Sequence, residues 1–488
     1  MRPPRVRGSA RYSNKMHPVF PYLWLMILGM ALTILHRPAQ EERPVRIWLT
    51  TPDQRHLLTP QPPARFGPDA GPNSLTIDVD ESQTYQRMEG FGAALTESSA
   101  WLLQTKLNPA QRDRVMGKLF DPKAGIGLSY LRLPMGASDF ALRSYTYDDM
   151  PPGQSDPALA HFSIAHDSDT LLPTLQQARA LNPALQIMAT PWSAPAWMKT
   201  SGSLNSGKLR PDAYAAYARY FVRFLRAYHD AGIPIHAVTL QNEPHHEPAG
   251  YPCMRMEPGE QAEFVKNHLG PQLAEAGLKT HILVWDHNWN EPEYPIAVLR
   301  DAKARPYIAG SAFHAYEGSV EAQSRVHAAF PDKDLYFTEC SGGEWATDFG
   351  GNLKWYAHNL LIGATRHWAK TVLLWNLALD EQHGPQNGGC TNCRGVVTIR
   401  QRTGEVVYNV ETYLLGHASK FVLPGAVRIG SNTFGEQSIE NVAFENPNGS
   451  LALIVLNGSE EAQTFKVRWR GQAFVTTLPA GALATFCW

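Results

Sequence analysis

The chain is short of several features that mark large protein classes. Its 44 Lys+Arg against 45 Asp+Glu leave a formal net charge of −1. It therefore lacks the basic excess that nucleic-acid binding draws on, and no nucleic-acid partner is expected. It has five cysteines, and Cys390 and Cys393 form the sole CxxC. No second pair at similar spacing completes a zinc site, so a local disulfide stapling the Gly-rich loop 387–393 is favoured over a metal. His245, His246 and Glu247 are three neighbours on one loop, a poor arrangement for holding one ion, and a surface turn is preferred. Gly90-Phe91-Gly92 lacks the third glycine of a dinucleotide fingerprint. Beyond the N-terminal region no apolar run is long enough to span a membrane. Hydrophobic residues at 43% with so little net charge exclude a disordered chain. The abundance is aromatic: 13 Trp, 18 Tyr and 19 Phe, flat faces suited to stacking on sugars.

Length and punctuation suggest the organisation. Arg2, Arg5, Arg7, Arg11 and Lys15 precede an apolar run over 19–35, which reads residues 1–37 as a signal peptide or N-terminal membrane anchor, hence export. Pro52, Pro60, Pro62, Pro63, Pro68 and Pro72 predict a Pro-rich linker over 38–73. Residues 74–89 are expected to give a strand, 75–79, that joins a later β domain.

Short apolar runs then recur at 90–96, 128–134, 186–193, 237–243, 281–286, 308–316, 335–340 and 371–377. Helical stretches separate them. The clearest helix follows Pro211, with Tyr214, Tyr217, Phe221, Phe224, Leu225 and Tyr228 on one stripe and Gly232 at its end. Eight such strands alternating with helices predict an α/β fold, a (β/α)8 TIM barrel over 90–420. From 421 to 488 short β runs separated by Gly, Asn and Pro predict a small antiparallel β-sandwich domain.

In a barrel the working face lies at the C-terminal ends of the strands. Strand four runs into Gln241-Asn242-Glu243-Pro244, and strand seven into Thr338-Glu339-Cys340. Two carboxylates at the lips of apolar strands are the minimum for glycosidic cleavage, one protonated to serve the leaving oxygen and one ionised to attack. Taken singly, each could equally cap a helix or pair with an arginine.

The ordered set of motifs then resembles a known family. Glu89-Gly90-Phe91-Gly92-Ala93-Ala94-Leu95-Thr96, Leu131-Arg132-Leu133-Pro134-Met135, Tyr145-Thr146-Tyr147, Ala189-Thr190-Pro191-Trp192-Ser193-Ala194-Pro195, Asn242-Glu243-Pro244, Phe337-Thr338-Glu339-Cys340, Trp375-Asn376-Leu377-Ala378-Leu379 and Leu415-Gly416-His417-Ala418-Ser419-Lys420-Phe421 are similar to glycoside hydrolase family 30, the glucosylceramidase-like retaining β-glycosidases. The resemblance implies Glu243 as general acid/base and Glu339 as nucleophile. It implies Asn242 on the sugar 2-hydroxyl, Arg132 orienting the nucleophile, Trp192 and Trp375 as sugar-site walls, and His314 and Tyr316 beside the nucleophile. Glu97 stands where the family usually offers Asp to the outer hydroxyls. The implied activity is double displacement on β-D-glucosides, with glucosylceramide-like substrates first and endo-β-1,6-glucan cleavage as the alternative. A non-catalytic carbohydrate-binding protein is a distant third. No cofactor is expected.

Overall fold

The computed structural model describes residues 44–71 and 74–488; the N-terminal segment read as an export signal lies outside the described residues. Eight parallel strands close into a barrel. In chain order they are Gly90–Ala94, Tyr130–Pro134, Gln186–Thr190, Ala237–Thr239, His281–Asn288, Ile308–His314, Asp334–Glu339 and Ala369–Leu374, one in each predicted run. The first strand is built of small residues because its neighbour comes close: a Cβ on Gly92 would sit 1.8 Å from the Tyr130 carbonyl oxygen. The aromatic helix is present as Tyr214–Asp230 with its stripe buried, and Gly232 just beyond it adopts a left-handed φ of 81°, the conformation that glycine admits freely.

The barrel interior is stacked in layers. Tyr130, Met188, Ala237, Leu283, Ala312, Tyr336 and Leu373 form a buried apolar cluster. Side chains alternate along a strand, so the residue two further on faces inward again. That step leads to Arg132, Thr190, Thr239, His314, Thr338 and Trp375, a polar and aromatic layer toward the C-terminal lip. The fifth strand breaks the alternation. Trp285 pairs with Ala312 and His287 with Phe313, so Asp286 is the extra residue of a bulge, and Trp285 and Asp286 have φ of 73° and 67°. The bulge turns Asp286 into the polar layer.

The second layer of the molecule is a ten-stranded sheet. Its strands at Val427–Ser431, Ile439–Glu445, Leu451–Asn457, Gln463–Trp469 and Leu483–Cys487 fall in the predicted runs, and Gln472–Leu478 adds one that was not anticipated. The strand expected near 75–79 is Thr76–Arg87, which pairs with both Val427–Ser431 and Gln463–Trp469. The linker reading of 38–73 is corrected for the described residues. Pro44–Thr50 is a strand paired to Leu483–Cys487 on one side and to Thr59–Arg65 on the other. The prolines of Thr59–Arg65 are tolerated because this strand is the sheet's outer edge, where its missing N–H groups need no partner.

His417 joins these parts. It lies in the helix Val410–Ser419, fully buried, with Nε2 at 2.8 Å from the Thr50 hydroxyl and Nδ1 at 2.9 Å from that of Thr485. Burial brings its pKa down to about 3. Because the folded value lies below the unfolded one of about 6.5, stability contributed by neutral His417 is lost as pH falls from about 6.5 toward 3. We expect His417→Ala to cost about 1–3 kcal/mol at neutral pH, because the buried hydroxyls of Thr50 and Thr485 each lose one of their hydrogen bonds. Thermal unfolding should show the wild-type advantage shrinking below pH 6.

Candidate active site

The site is assembled around a guanidinium. Arg132, at the lip of the second strand, is 0% exposed. Its NH1 donates to Glu339 Oε2 at 2.5 Å, and its NH2 to Asn242 Oδ1 at 2.6 Å and Asp286 Oδ2 at 2.9 Å. The charge thus fixes side chains from the fourth, fifth and seventh strands at once. Trp192 and Trp375 stack on one another at 5.2 Å between ring centroids and flank the same guanidinium at 5.0 and 5.5 Å. With its carbonyl end engaged by Arg132, Asn242 has its NH2 left as the donor for a ligand.

Glu243 follows the fourth strand with φ of 45°, a strained left-handed conformation of the kind that clusters at functional sites. Pro244 fixes the chain beyond it. Oxygens of Glu243 and Glu339 lie within 4.8 Å of one another, with a His314 nitrogen equally near. Tyr316 donates its hydroxyl to Glu339 Oε1 at 3.0 Å. Both carboxylates, with Trp192, Trp375, Asn242 and Tyr316, line one cavity of about 540 Å³. His314 is buried behind it: Nδ1 is 3.0 Å from Glu243 Oε1 and Nε2 is 3.0 Å from Asp286 Oδ1.

Asp286 was not singled out from the sequence. It receives Thr239 and Thr338 hydroxyls at 2.7 Å each besides Arg132 and His314. Burial pushes its carboxyl up, but the Arg132 charge and the His314 and Thr239 hydrogen bonds outweigh that, leaving it well below the usual carboxylate range. Burial lowers His314, yet the charge of Glu339 and the hydrogen bonds to Asp286 and Glu243 win and raise it to about 9. Burial also raises Glu243, but His314 outweighs it and brings Glu243 down to about 2. Glu339 is pushed up by burial and pulled back by His314 and Arg132. Both shifts favour the proton on the His314 side of the Glu243–His314 hydrogen bond.

Glu97 does not reach the cavity. Its Oε2 accepts the Leu142 amide at 2.9 Å and its Oε1 lies 2.7 Å from His166 Nε2. As the first residue of the helix Glu97–Thr105, it stays buried and braces the loop that follows the second strand. That loop brings a different carboxyl, Asp139, to the cavity wall. Asp139 lines the cavity, and its Oδ1 is buried with no hydrogen-bond partner. Burial, then Glu339 and Glu243, raises its pKa well above the usual range. The available signal was an acid in a loop directly after a barrel strand.

Cys390 and Cys393 are joined by a disulfide and also line the cavity. Asn387 donates its amide to the Asp139 carbonyl at 2.7 Å, so the stapled loop seats Asp139. His245 is 2.9 Å from Glu291 and 3.3 Å from Glu257, and His246 is 3.2 Å from the Tyr251 hydroxyl, so the two imidazoles have separate partners. A further Glu89, His236 and His281 grouping lies at the opposite, N-terminal end of the strands, with Lys370 at 2.9 Å from Glu89.

Comparison with known proteins agrees with this geometry. Residues 88–422 match the model described as the glycosyl hydrolase family 30 TIM-barrel domain, and residues 425–486 match the family's beta sandwich domain. An endo-1,6-beta-D-glucanase of Aspergillus fumigatus is 34% identical over 439 residues, 84% of this chain and 87% of that protein. The lysosomal acid glucosylceramidase of Mus musculus is 30% identical, covering 85% and 83%. The solved structure of an endo-beta1,6-glucanase superposes with a TM-score of 0.86 at 36% identity, covering 91% of this chain and 99% of that one.

With its pKa raised, Asp139 meets a sugar hydroxyl as a neutral carboxyl, a bond worth about 0.5–1.5 kcal/mol. Asp139→Ala is therefore expected to lower kcat/KM on a β-glucoside by about two- to ten-fold. Glu97→Gln, away from the cavity, is expected to change kcat/KM by less than about threefold. Steady-state kinetics of the two variants would expose the opposite order.

Proposed function

The chain belongs to glycosyl hydrolase family 30 and is a glycosidase, and from that premise we propose that it cleaves β-1,6-linked glucan internally, with retention of configuration. The observation that carries the chemistry is the approach of Glu243 and Glu339 within 4.8 Å. A nearest-oxygen approach of this order suits the carboxyl separation of about 5–5.5 Å of retaining enzymes better than the roughly 6.5–9.5 Å that an inverting enzyme needs for its water. Glu339, oriented by Arg132 and Tyr316, attacks the anomeric carbon as the bond to the leaving oxygen breaks. Glu243 delivers a proton to that oxygen. Water entering from the same side then gives a proton to Glu243 and its oxygen to the anomeric carbon, releasing Glu339.

Trp192 and Trp375 wall the seat of the cleaved glucosyl residue, Asn242 donates to its 2-hydroxyl and Asp139 takes outer hydroxyls. The proton that Glu243 delivers is held by the Glu243–His314 pair, with Asp286 anchoring the far side of the imidazole. Two observations support a polymeric substrate over glucosylceramide. Three relatives at 33–34% identity are endo-1,6-β-D-glucanases, and the catalytic cavity continues into a second one through shared lining residues. For the cellular site we propose export, supported by the basic and apolar N-terminal residues and by a disulfide of the kind that persists in oxidising compartments.

Glu339→Ala is expected to lose on the order of 10⁴-fold in kcat and to regain activity with added azide, giving an α-glycosyl azide. Chromatography of products from β-1,6-glucan is expected to show a ladder of gentio-oligosaccharides early in the reaction. Glucose as the sole early product, or cleavage of glucosylceramide alone, would defeat the substrate reading. The proton pair titrates as a unit. Its raised value of about 9 at His314 keeps the proton available below that pH, and activity falls as pH rises through it. In His314→Asn the alkaline limb of kcat/KM is expected to move down by at least about one pH unit. An unmoved limb would remove His314 from proton storage.

A further inference from the structure

A second cavity of about 680 Å³ opens beside the catalytic one and shares Tyr316, Ser341 and Trp345 with it. Its own walls carry Trp355 and Tyr356, with Thr347, Asp348 and Asn352 at the edges. We propose that this cavity is a glucosyl subsite that holds the β-1,6-glucan chain beyond the residue being cleaved, with Trp345 and Trp355 as its stacking platforms. The inference rests on the substrate reading above and assigns the part of the molecule that grips the rest of the polymer.

The composition of the lining selects the occupant. No leucine, isoleucine, valine, methionine or phenylalanine lines the cavity. A lipid chain is held by long aliphatic walls, whereas the apolar side chains here are the aromatic rings and the small Ala315, Ala346 and Cys340. Aromatic faces edged by hydroxyl, carboxylate and amide groups match a pyranose, whose ring presents C–H bonds on its faces and hydroxyls at its rim. Trp345 is 56% exposed and Trp355 43% exposed, large apolar faces left open to solvent at the border of an active site.

The platforms are built in. Gly342 and Gly343 pair antiparallel with Cys393 and Arg394, and Glu344 donates its amide to the Asn392 carbonyl at 2.9 Å. The disulfide-stapled loop thus holds the segment that carries Trp345. A Cβ on Gly343 would lie 2.0 Å from the Trp345 ring, so the indole lies directly on the glycine backbone and a larger residue there would displace it. Trp355 projects from the helix Phe349–Tyr356, whose N-terminus is capped by the Asp348 side chain on the Gly351 amide. Its ring meets Tyr356 edge-on at 5.4 Å. Neighbouring Tyr356 is tied to Glu411, which pairs with Arg394 at 2.7 Å. Both indoles are therefore positioned before substrate arrives, which spares ordering entropy on binding.

The test compares a polymer that spans both cavities with a short substrate that fills mainly the catalytic one. In Trp355→Ala the ratio of kcat/KM on β-1,6-glucan to kcat/KM on an aryl β-glucoside, which puts no sugar beyond the cleaved bond, is expected to fall about tenfold, the scale of one lost aromatic stacking contact. Trp355→Phe, which keeps a ring, is expected to recover most of it and guards against a folding defect in the alanine variant. An unchanged ratio in a Trp355→Ala protein of wild-type melting temperature would overturn the subsite. So would a loss confined to glucosylceramide, which would mark the cavity as a lipid seat. Wild-type enzyme idle on β-1,6-glucan would instead overturn the substrate reading, and the two failures are thereby separable.

Discussion

A buried arginine needs acceptors, and the three that Arg132 finds determine the rest of the site. A guanidinium with no solvent access is tolerable only when negative charge and hydrogen-bond acceptors surround it. Glu339, Asn242 and Asp286 meet that need from three different strands. The same contacts orient the nucleophile, turn the amide of Asn242 and hold Asp286 ionised. Trp192 and Trp375 cover the guanidinium with aromatic faces, so the walls of the sugar seat and the anchor of the carboxylates are one packed unit. Removing Arg132, Asp286 or Glu339 leaves charge uncompensated in a buried place, which couples catalysis to local stability.

The bulge in the fifth strand follows from the same requirement. Without Asp286 the polar layer would hold Arg132 and a cationic His314 against Glu339 and Glu243 alone. Asp286 sits between Arg132 and His314, receives both, and is backed by two threonine hydroxyls. That arrangement explains why the layer accepts two cations at close quarters. It also explains why the backbone bears left-handed conformations at Trp285, Asp286 and Glu243: each φ re-aims a side chain that regular strand geometry would send elsewhere.

Where the sequence was legible, a simple period carried the information. Eight apolar runs located the barrel strands, and the carboxylates at the ends of the fourth and seventh stood out because polar residues there break the run. Asn242, Arg132, Trp192, Trp375 and Tyr316 came with the family's motifs, and all but the wholly buried Arg132 line the cavity. Asp286 was illegible because its inward direction depends on a bulge, which strict alternation assigns to the wrong face. Asp139 was illegible because its loop is placed by distant partners, Glu97 through Leu142 and Asn387 through its backbone. The Pro-rich stretch misled for a related reason. Proline density excludes a central strand, but an edge strand pairs on one side only, and strand order is a property of the whole sheet.

The loop at 387–394, stapled by Cys390–Cys393, shows how one local crosslink can serve several functions at once. Its Asn387 supports Asp139 on the catalytic side, and its Cys393 and Arg394 pair with the glycine pair that seats Trp345 on the other. Arg394 then reaches Glu411 on the last barrel helix, and Glu411 reaches Tyr356. The crosslink itself spans only Cys390 to Cys393, and the hydrogen bonds on either side carry its effect outward. On the substrate reading proposed above, the carboxyl that meets the cleaved residue and the first aromatic platform beyond it are held by the same short segment. A change in the loop therefore alters the shape of the seat before it alters the chemistry of Glu243 and Glu339.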